Sequence, residues 1–400
     1  MSLIFLRKHV LQCRLFIPVI SLAGLLFSGC SGTMPSHAPL PVLQASTSST
    51  VALVPTWSVT LPGGATLLPA INGETLYIGN RSGQVQAINL RNGTIQWSQS
   101  LNIPVQGSLS ANAETLIVTT PQGEVISLDS LSGKQNWKQA IGRRILGAAQ
   151  FLPDSLALWS EEGSVILLGK SDGKEHWVHE ATNTALLLRA PRTGTVALGA
   201  IFTGTPKGKL TVLDIQSGRP YWEVSLTDST QHLDIDPLVD ASATPPFINS
   251  KHVCASTPHK TACVDPLKGS IVWTQPLGTI TGLEGDGLNL YGTTPQGSVF
   301  ALKASSGSLL WEYTALKDHT LLKPELLNNS VWIAFSDQPL LIQLNADNGT
   351  YQGNHTLPAA TQWMRALNDH TLILQTTEGQ ILRYDLKESS TSRSTGSTRE

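Results

Sequence analysis

The sequence predicts an all-β protein folded as an eight-bladed β-propeller, and three observations support this fold class. A hairpin with one pattern recurs along the chain, its copies are spaced about 40 residues apart, and the two ends of the chain carry complementary fragments of one unit. A period near 40 residues with four short strands per unit is typical of a β-propeller.

The hairpin is clearest at residues 83–97, GQVQAINLRNGTIQW. Apolar residues of its first half alternate with glutamines, which is the period of a strand. Asn92-Gly93 favours a tight turn, because Gly accepts a positive φ and Asn tolerates it. The second half alternates again and ends at Trp97, so the segment predicts a strand, a turn and a strand.

The same pattern recurs at later positions, ending at Trp137, Trp177, Trp222, Trp273 and Trp311, and a decayed copy places Gly353 at the Trp position. From Trp97 the steps are 40, 40, 45, 51, 38 and 42 residues, and a turn glycine lies four residues before each end point. A large rigid ring at a fixed place in each outer strand can pack against the neighbouring blade. We therefore interpret these tryptophans as core residues and not as a ligand platform.

An apolar strand precedes each Gly-led strand. The eight predicted strands are Thr75–Gly79, Thr115–Thr119, Leu156–Trp159, Val196–Ile201, His252–Ala255, Leu288–Tyr291, Val331–Phe335 and Thr371–Gln375. The last unit stops after residues 379–386 without a Trp strand, whereas residues 56–61, TWSVTL, form a Trp strand with nothing before it. Pairing these two fragments would close the ring and remove two exposed sheet edges. The propeller is thus expected to span residues 56–387, with its eighth blade built from both ends.

Residues 1–29 are expected to be a signal peptide, because a basic start precedes an apolar run too short to span a bilayer. The run ends in Ser28-Gly29-Cys30, which resembles a bacterial lipobox and implies lipidation of Cys30. The alternative is an ordinary signal peptide cut nearby. Ser31 resembles the residue found in lipoproteins sorted to the outer membrane, which face the periplasm.

The remaining segments and the net charge limit the classes of function. Residues 30–55 are rich in Ser, Thr, Pro and Ala and are expected to form a flexible tether, and residues 388–400 a disordered polar tail. Without the basic residues of the signal, 24 basic residues face 29 acidic ones. This balance is unlike the basic footprint of a nucleic-acid-binding protein, so no nucleic acid is expected.

The repeat resembles the quinoprotein type, because a polar residue precedes the turn glycine by four positions and Trp follows it by four. These polar residues are Asp129, Asp214, Asp265 and Asn345. Enzymes with this repeat bind pyrroloquinoline quinone and calcium, but the chain shows neither an adjacent cysteine pair nor an obvious set of ligands. We expect no enzymatic activity, no cofactor and no metal. A dehydrogenase relative is the least favoured alternative, after a scaffold for another periplasmic partner.

Two intervals are long, and both follow a Trp strand, so both connections should emerge on the same face of adjacent blades. Leu186, Leu188 and Arg189 would then lie beside Asp236 and Asp240. Leucines flanked by opposite charges make a plausible protein-binding patch. In the alternative interpretation, the leucines begin an inner strand and face the core.

The two segments, LLLRA at 186–190 and DIDPLVDASATP at 234–245, resemble those of the BamB family of outer-membrane protein assembly factors. This resemblance covers nearly the whole chain and implies an accessory lipoprotein of the BAM complex that supports the folding and insertion of outer-membrane proteins. It also implies that Leu186, Leu188, Arg189 and Asp240 contact the POTRA domains of BamA. Pro237 and Ser242 depart from the family pattern, which has Arg and Asp there. Unfolded outer-membrane proteins are a further possible partner, by β-augmentation at outer strands.

Cys254 and Cys263 bracket a hairpin centred on Pro258-His259. A two-residue turn there would place the cysteines opposite one another as a non-hydrogen-bonded pair, the closer kind. An oxidising periplasm would permit a disulfide. Two buried thiols are the alternative.

Overall fold

The computed structural model describes residues 51–180, 192–205, 208–226 and 246–388. The regular elements of these residues are strands, arranged in eight four-stranded sheets. The predicted all-β, eight-bladed propeller is therefore confirmed. Within the described ranges, no helix has the length and apolar character that crossing a bilayer requires.

Blades 1 to 4 each use four consecutive strands. Blade 1 contains β2 (Ala70–Asn72), β3 (Thr75–Gly79), β4 (Gln84–Asn89) and β5 (Ile95–Ser100). Blade 2 contains β6 (Gln106–Ala111), β7 (Thr115–Thr119), β8 (Glu124–Asp129) and β9 (Gln135–Ala140). Blade 3 contains β10 (Gln150–Phe151), β11 (Ser155–Trp159), β12 (Val165–Gly169) and β13 (Glu175–His179). Blade 4 contains β14 (Thr195–Ala197), β15 (Ala200–Gly204), β16 (Lys209–Asp214) and β17 (Pro220–Ser225).

Blades 5 to 7 follow the same rule, and blade 8 combines both ends of the chain. Blade 5 contains β18 (Phe247–Ile248), β19 (Val253–Ser256), β20 (Thr261–Val264) and β21 (Ile271–Gln275). Blade 6 contains β22 (Gly282–Gly285), β23 (Asn289–Thr293), β24 (Val299–Lys303) and β25 (Leu309–Tyr313). Blade 7 contains β26 (Glu325–Leu327), β27 (Ser330–Ala334), β28 (Leu340–Asn345) and β29 (Tyr351–Thr356). Blade 8 contains β30 (Thr361–Asn368), β31 (Thr371–Thr376), β32 (Gln380–Glu388) and β1 (Val51–Thr60).

Blade 8 closes the ring as predicted, by antiparallel pairing of β1 with β32. The ladder runs from Val51↔Glu388 to Thr60↔Gln380, with a bulge at Thr56, between Pro55 and Trp57. It therefore starts before residue 56 and extends past residue 387, the expected limits of the propeller. In the other blades a turn connects the third and fourth strands, but β1 and β32 come from opposite ends of the chain. Their longer ladder of backbone pairs holds them together without a turn.

Tryptophan links successive blades, which explains why it recurs at one position. Seven indole Nε1 atoms each donate a hydrogen bond of 2.9–3.1 Å to a backbone carbonyl of the next blade. The donors are Trp57, Trp97, Trp137, Trp177, Trp222, Trp273 and Trp311. Each ring also lies against the turn glycine of that blade. A Cβ on Gly307, for example, would stand 2.5 Å from the Trp273 ring.

The seam between blades 7 and 8 lacks this link. Gly353 occupies the Trp position, and a Cβ placed there would meet nothing within 4 Å. Blade 8 has no hairpin turn for a ring to cover, because its third and fourth strands come from opposite ends of the chain. Leu53 and Leu386 from the extended ladder pack instead in one buried cluster with Trp332. The missing tryptophan of blade 7 and the split blade 8 therefore occur at the same interface.

One predicted strand, Val196–Ile201, was wrong, because the structure divides this segment into β14 and β15. Leu198 and Gly199 form the turn between them, with φ of 51° and 74°. Residues 196–201, VALGAI, form one apolar run, and leucine at a position of positive φ gives no turn signal in the sequence.

Candidate partner-binding face

The propeller has two faces, defined here by their chain segments. The connection face carries the links from the outer strand of one blade to the inner strand of the next, together with the turns between second and third strands. The turn face carries the remaining hairpin turns. First strands of neighbouring blades contact one another, for example β14 with β18, and so surround the central channel.

Both long connections belong to the connection face, running from β13 to β14 and from β17 to β18. The predicted partner-binding residues lie outside the described residues, and these are Leu186, Leu188, Arg189, Asp236 and Asp240. The predicted lipidation residue, Cys30, also lies outside them. The described residues on either side of the two connections make contacts that fix the ends of each connection.

The C-terminal ends of the two connections meet. Thr195, which begins β14, donates its hydroxyl to the carbonyl of Pro246 at 3.1 Å. The N-terminal end of the second connection is also fixed, because the buried Leu226 donates its backbone N–H to Gly208 at 2.9 Å. Blades 4 and 5 therefore bring the two connections together at their ends.

An ion pair holds the N-terminal end of the first connection. Arg143 donates two hydrogen bonds to the Glu180 carboxylate, at 2.6 and 2.8 Å. The guanidinium holds the pKa of Glu180 below its usual range. Ser164 supports the pair by donating to the same carboxylate at 3.1 Å. Glu180 is largely exposed, so this pair contributes little to the stability of the fold.

Arg192 holds the other end of the first connection and is 1% exposed. Its Nε donates to the carbonyl of Glu161 at 2.6 Å. The Glu161 carboxylate in turn lies 3.4 Å from the guanidinium of Arg144. A Cβ on Gly147 would stand 2.1 Å from the carbonyl of Arg192, so only glycine permits this approach. The sequence analysis did not predict these contacts of Arg192, Glu161 and Arg144. The only feature of the sequence that points to them is the basic pair Arg143-Arg144 in a link between blades.

A charged cluster lies where the inner strands of blades 6 to 8 meet. Lys323 contacts the carboxylate of Glu284 and lies 3.4 Å from that of Glu325. Glu325 also accepts a hydrogen bond from the Ala366 N–H at 3.0 Å. Burial raises the pKa of Glu325 above its ordinary value. In the part of the chain that is described, no three His, Cys, Asp or Glu side chains are grouped as a metal site would require.

Cys254 and Cys263 lie opposite one another on β19 and β20, in the register that the sequence suggests. Their Cα atoms are 4.0 Å apart, the sulfur atoms are joined, and both residues are fully buried. They pack near Trp273 and Phe300 at the boundary with blade 6.

The repeat, the tryptophan links and the closure define an eight-bladed propeller of the quinoprotein-like type. The family model described as outer membrane protein assembly factor BamB matches residues 81–313 and 262–399. The BamB protein of Pseudomonas aeruginosa is 38% identical over 330 residues, covering 81% of this chain and 84% of the relative. BamB of Legionella pneumophila is 36% identical over 313 residues, covering 78% of this chain and 81% of the relative.

The chain therefore belongs to the BamB family of outer membrane protein assembly factors. The crystal structure of BamB from Moraxella catarrhalis has the same fold, with a TM-score of 0.71 at 20% identity. That match covers 84% of this chain and all of the other.

Proposed function

We propose that this protein is a non-enzymatic accessory lipoprotein of the BAM complex, which binds the POTRA domains of BamA and supports the assembly of outer-membrane proteins. Family membership is the observation that carries this proposal. The lipid at Cys30 would anchor the propeller to the outer membrane, with the body in the periplasm.

We assign the contact to the connection face. Both long connections interrupt the repeat there, and the contact of Thr195 with Pro246 brings their ends together. Leu186, Leu188 and Arg189 would supply apolar anchors and a cation, and Asp236 and Asp240 the opposite charge. Arg143 and Arg192 would limit the freedom of the first connection, lowering the entropy lost on binding.

The test is capture of the full-length chain, solubilised from membranes in mild detergent, by immobilised POTRA domains of its own BamA. Leu188→Asp and Arg189→Glu should each weaken capture about tenfold or more, as expected for central anchors of an interface. Leu267→Asp and Arg219→Glu are matched controls on the turn face, where Leu267 is 81% exposed. These controls should bind like the wild type.

Three results would contradict part of the proposal. Failure of the wild type to bind would remove BamA as the partner. Equal binding by all variants would keep the partner but move the site. Loss of binding only in the controls would place the contact on the turn face.

The outer strands support a second interaction, β-augmentation with unfolded outer-membrane proteins. β21 and β25 are edge strands of adjacent blades and pair on one side only. Each exposes two consecutive apolar residues, Ile271 and Val272 on the first and Leu309 and Leu310 on the second. Such edges can template an added strand. Absence of binding between unfolded barrel chains and the isolated protein would exclude this role.

We also propose that the bond between Cys254 and Cys263 forms in the oxidising periplasm. Alkylation of the denatured, unreduced protein should leave both thiols unmodified, and modification of both would contradict this proposal.

A further inference from the structure

A cavity of about 590 Å³ opens on the connection face between blades 1 and 2. Its apolar wall includes Leu68, Val105 and Leu146, from three successive links between blades. Among the described residues, its charged lining side chains are both arginines, Arg81 and Arg144, with no lining carboxylate. The cavity therefore combines an apolar floor with positive charge.

A break in the sheet lies beside this cavity. In β6, Gln106 pairs with Thr119 and Ser110 with Ile117, so extra residues bulge from the inner strand. The bulge lets Ser108 form a parallel bridge with Leu68 of blade 1. Bulges of this kind often lie next to functional sites, where they redirect backbone and side chains.

The positive charge of the cavity is only partly compensated. Arg144 lies 3.4 Å from the Glu161 carboxylate and donates to the Gln106 side chain at 3.3 Å, but its buried Nε has no hydrogen-bond partner. Arg81 is exposed, and its guanidinium has no carboxylate within ion-pair distance among the described residues. The Arg81 guanidinium thus has no described carboxylate partner, and that of Arg144 keeps one N–H without an acceptor.

The cavity is continuous with the face assigned to the partner. Arg144 contacts Glu161, and the carbonyl of Glu161 accepts the hydrogen bond from Arg192 at the end of the first long connection. A protein that covers the end of this connection would therefore also come close to the cavity.

We propose that the cavity binds an acidic segment of the protein partner. A carboxylate of that segment would lie between Arg81 and Arg144, and an adjacent aliphatic side chain would pack on Leu68, Val105 and Leu146. Arginine favours this ligand because its planar fork matches a carboxylate. The inference rests on the proposed function, in which a protein covers the connection face.

The test uses two fluorescein-labelled peptides, Gly-Leu-Glu-Asp-Leu-Gly and its amide counterpart Gly-Leu-Gln-Asn-Leu-Gly. Fluorescence anisotropy is recorded with the full-length chain in detergent at low salt. The acidic peptide should bind saturably, and the amide peptide about tenfold more weakly. Arg81→Gln and Arg144→Gln should each weaken binding of the acidic peptide about tenfold. Arg219→Gln, on the turn face, should leave this binding unchanged.

Arg81→Gln is the decisive variant, since Arg144 also contacts Glu161 and its loss could disturb the fold. Thermal unfolding checks that each variant is folded. Equal binding of both peptides, or unchanged binding by folded Arg81→Gln, would overturn the inference. The peptide assay contains no POTRA domain, so it is independent of the capture experiment. If the wild type captures POTRA domains but does not bind the acidic peptide, this inference fails and the proposed function stands.

Discussion

The turn face and the connection face of this propeller are built in different ways. On the turn face, an indole from one blade covers a turn glycine of the next at seven of the eight interfaces. On the connection face, two long connections, a bulged inner strand and a buried arginine interrupt the repeat. We infer that the regular face supplies stability, which leaves the irregular face for the proposed contact with a partner.

The largest expected effect comes from removing one tryptophan link. Trp273→Ala deletes a buried ring and its hydrogen bond to the Ala304 carbonyl, so it should lower the free energy of unfolding by about 3–5 kcal/mol. Denaturant unfolding followed by circular dichroism measures this change. The folded variant should still bind POTRA domains with wild-type affinity.

Trp273→Phe is the control, because it keeps a ring but loses the indole N–H. Trp273→Phe should lower the free energy of unfolding by less than Trp273→Ala does. A stable Trp273→Ala protein with impaired POTRA binding would reverse the roles assigned to the two faces.

A smaller effect isolates the contact between ring and glycine. Gly307 and Gly199 have similar φ of 71° and 74°, but only Gly307 faces a tryptophan ring. Gly199→Ala should cost about 1–2 kcal/mol from the left-handed backbone alone. Gly307→Ala should cost about 1–3 kcal/mol more through overpacking. Equal losses in chemical denaturation would show that the ring contact contributes nothing.

The smallest effect concerns Glu325, a buried residue of the inner strand β26. Burial raises the pKa of Glu325 in the folded protein above its ordinary value of 4.5. The folded protein therefore holds the proton of this carboxyl more strongly than the unfolded chain does. The stability contribution of that group therefore falls as pH rises from 4.5 through the folded pKa. Glu325→Gln cannot ionise, so its stability relative to wild type should increase with pH over this interval. Denaturation midpoints at several pH values measure the difference, and a constant difference would contradict the assignment.

The turn face could be predicted from the sequence because its determinants are local. A turn glycine and a tryptophan four residues later recur with a period, and their spacing already implies contact between blades. Closure was also predictable, because the unpaired strand near Trp57 matches the unit that ends after residue 386.

The connection face could not be predicted to the same depth. Burial of Arg192 depends on Glu161 and Gly147, which come from other parts of blade 3 and its links. The bulge beside the cavity leaves no periodic trace in the sequence, and Arg81 and Arg144 are 63 positions apart in the chain. The predicted partner residues remain predictions, since they lie outside the described residues.

The most direct test of the contrast between faces is hydrogen–deuterium exchange of the full-length chain with and without the POTRA domains of BamA. Protection on binding should appear at segments 143–147 and 160–164 of the connection face. Segments 129–133 and 265–269, turns of the opposite face, should exchange at unchanged rates. Protection of those turns, with no change at the connection face, would contradict the account.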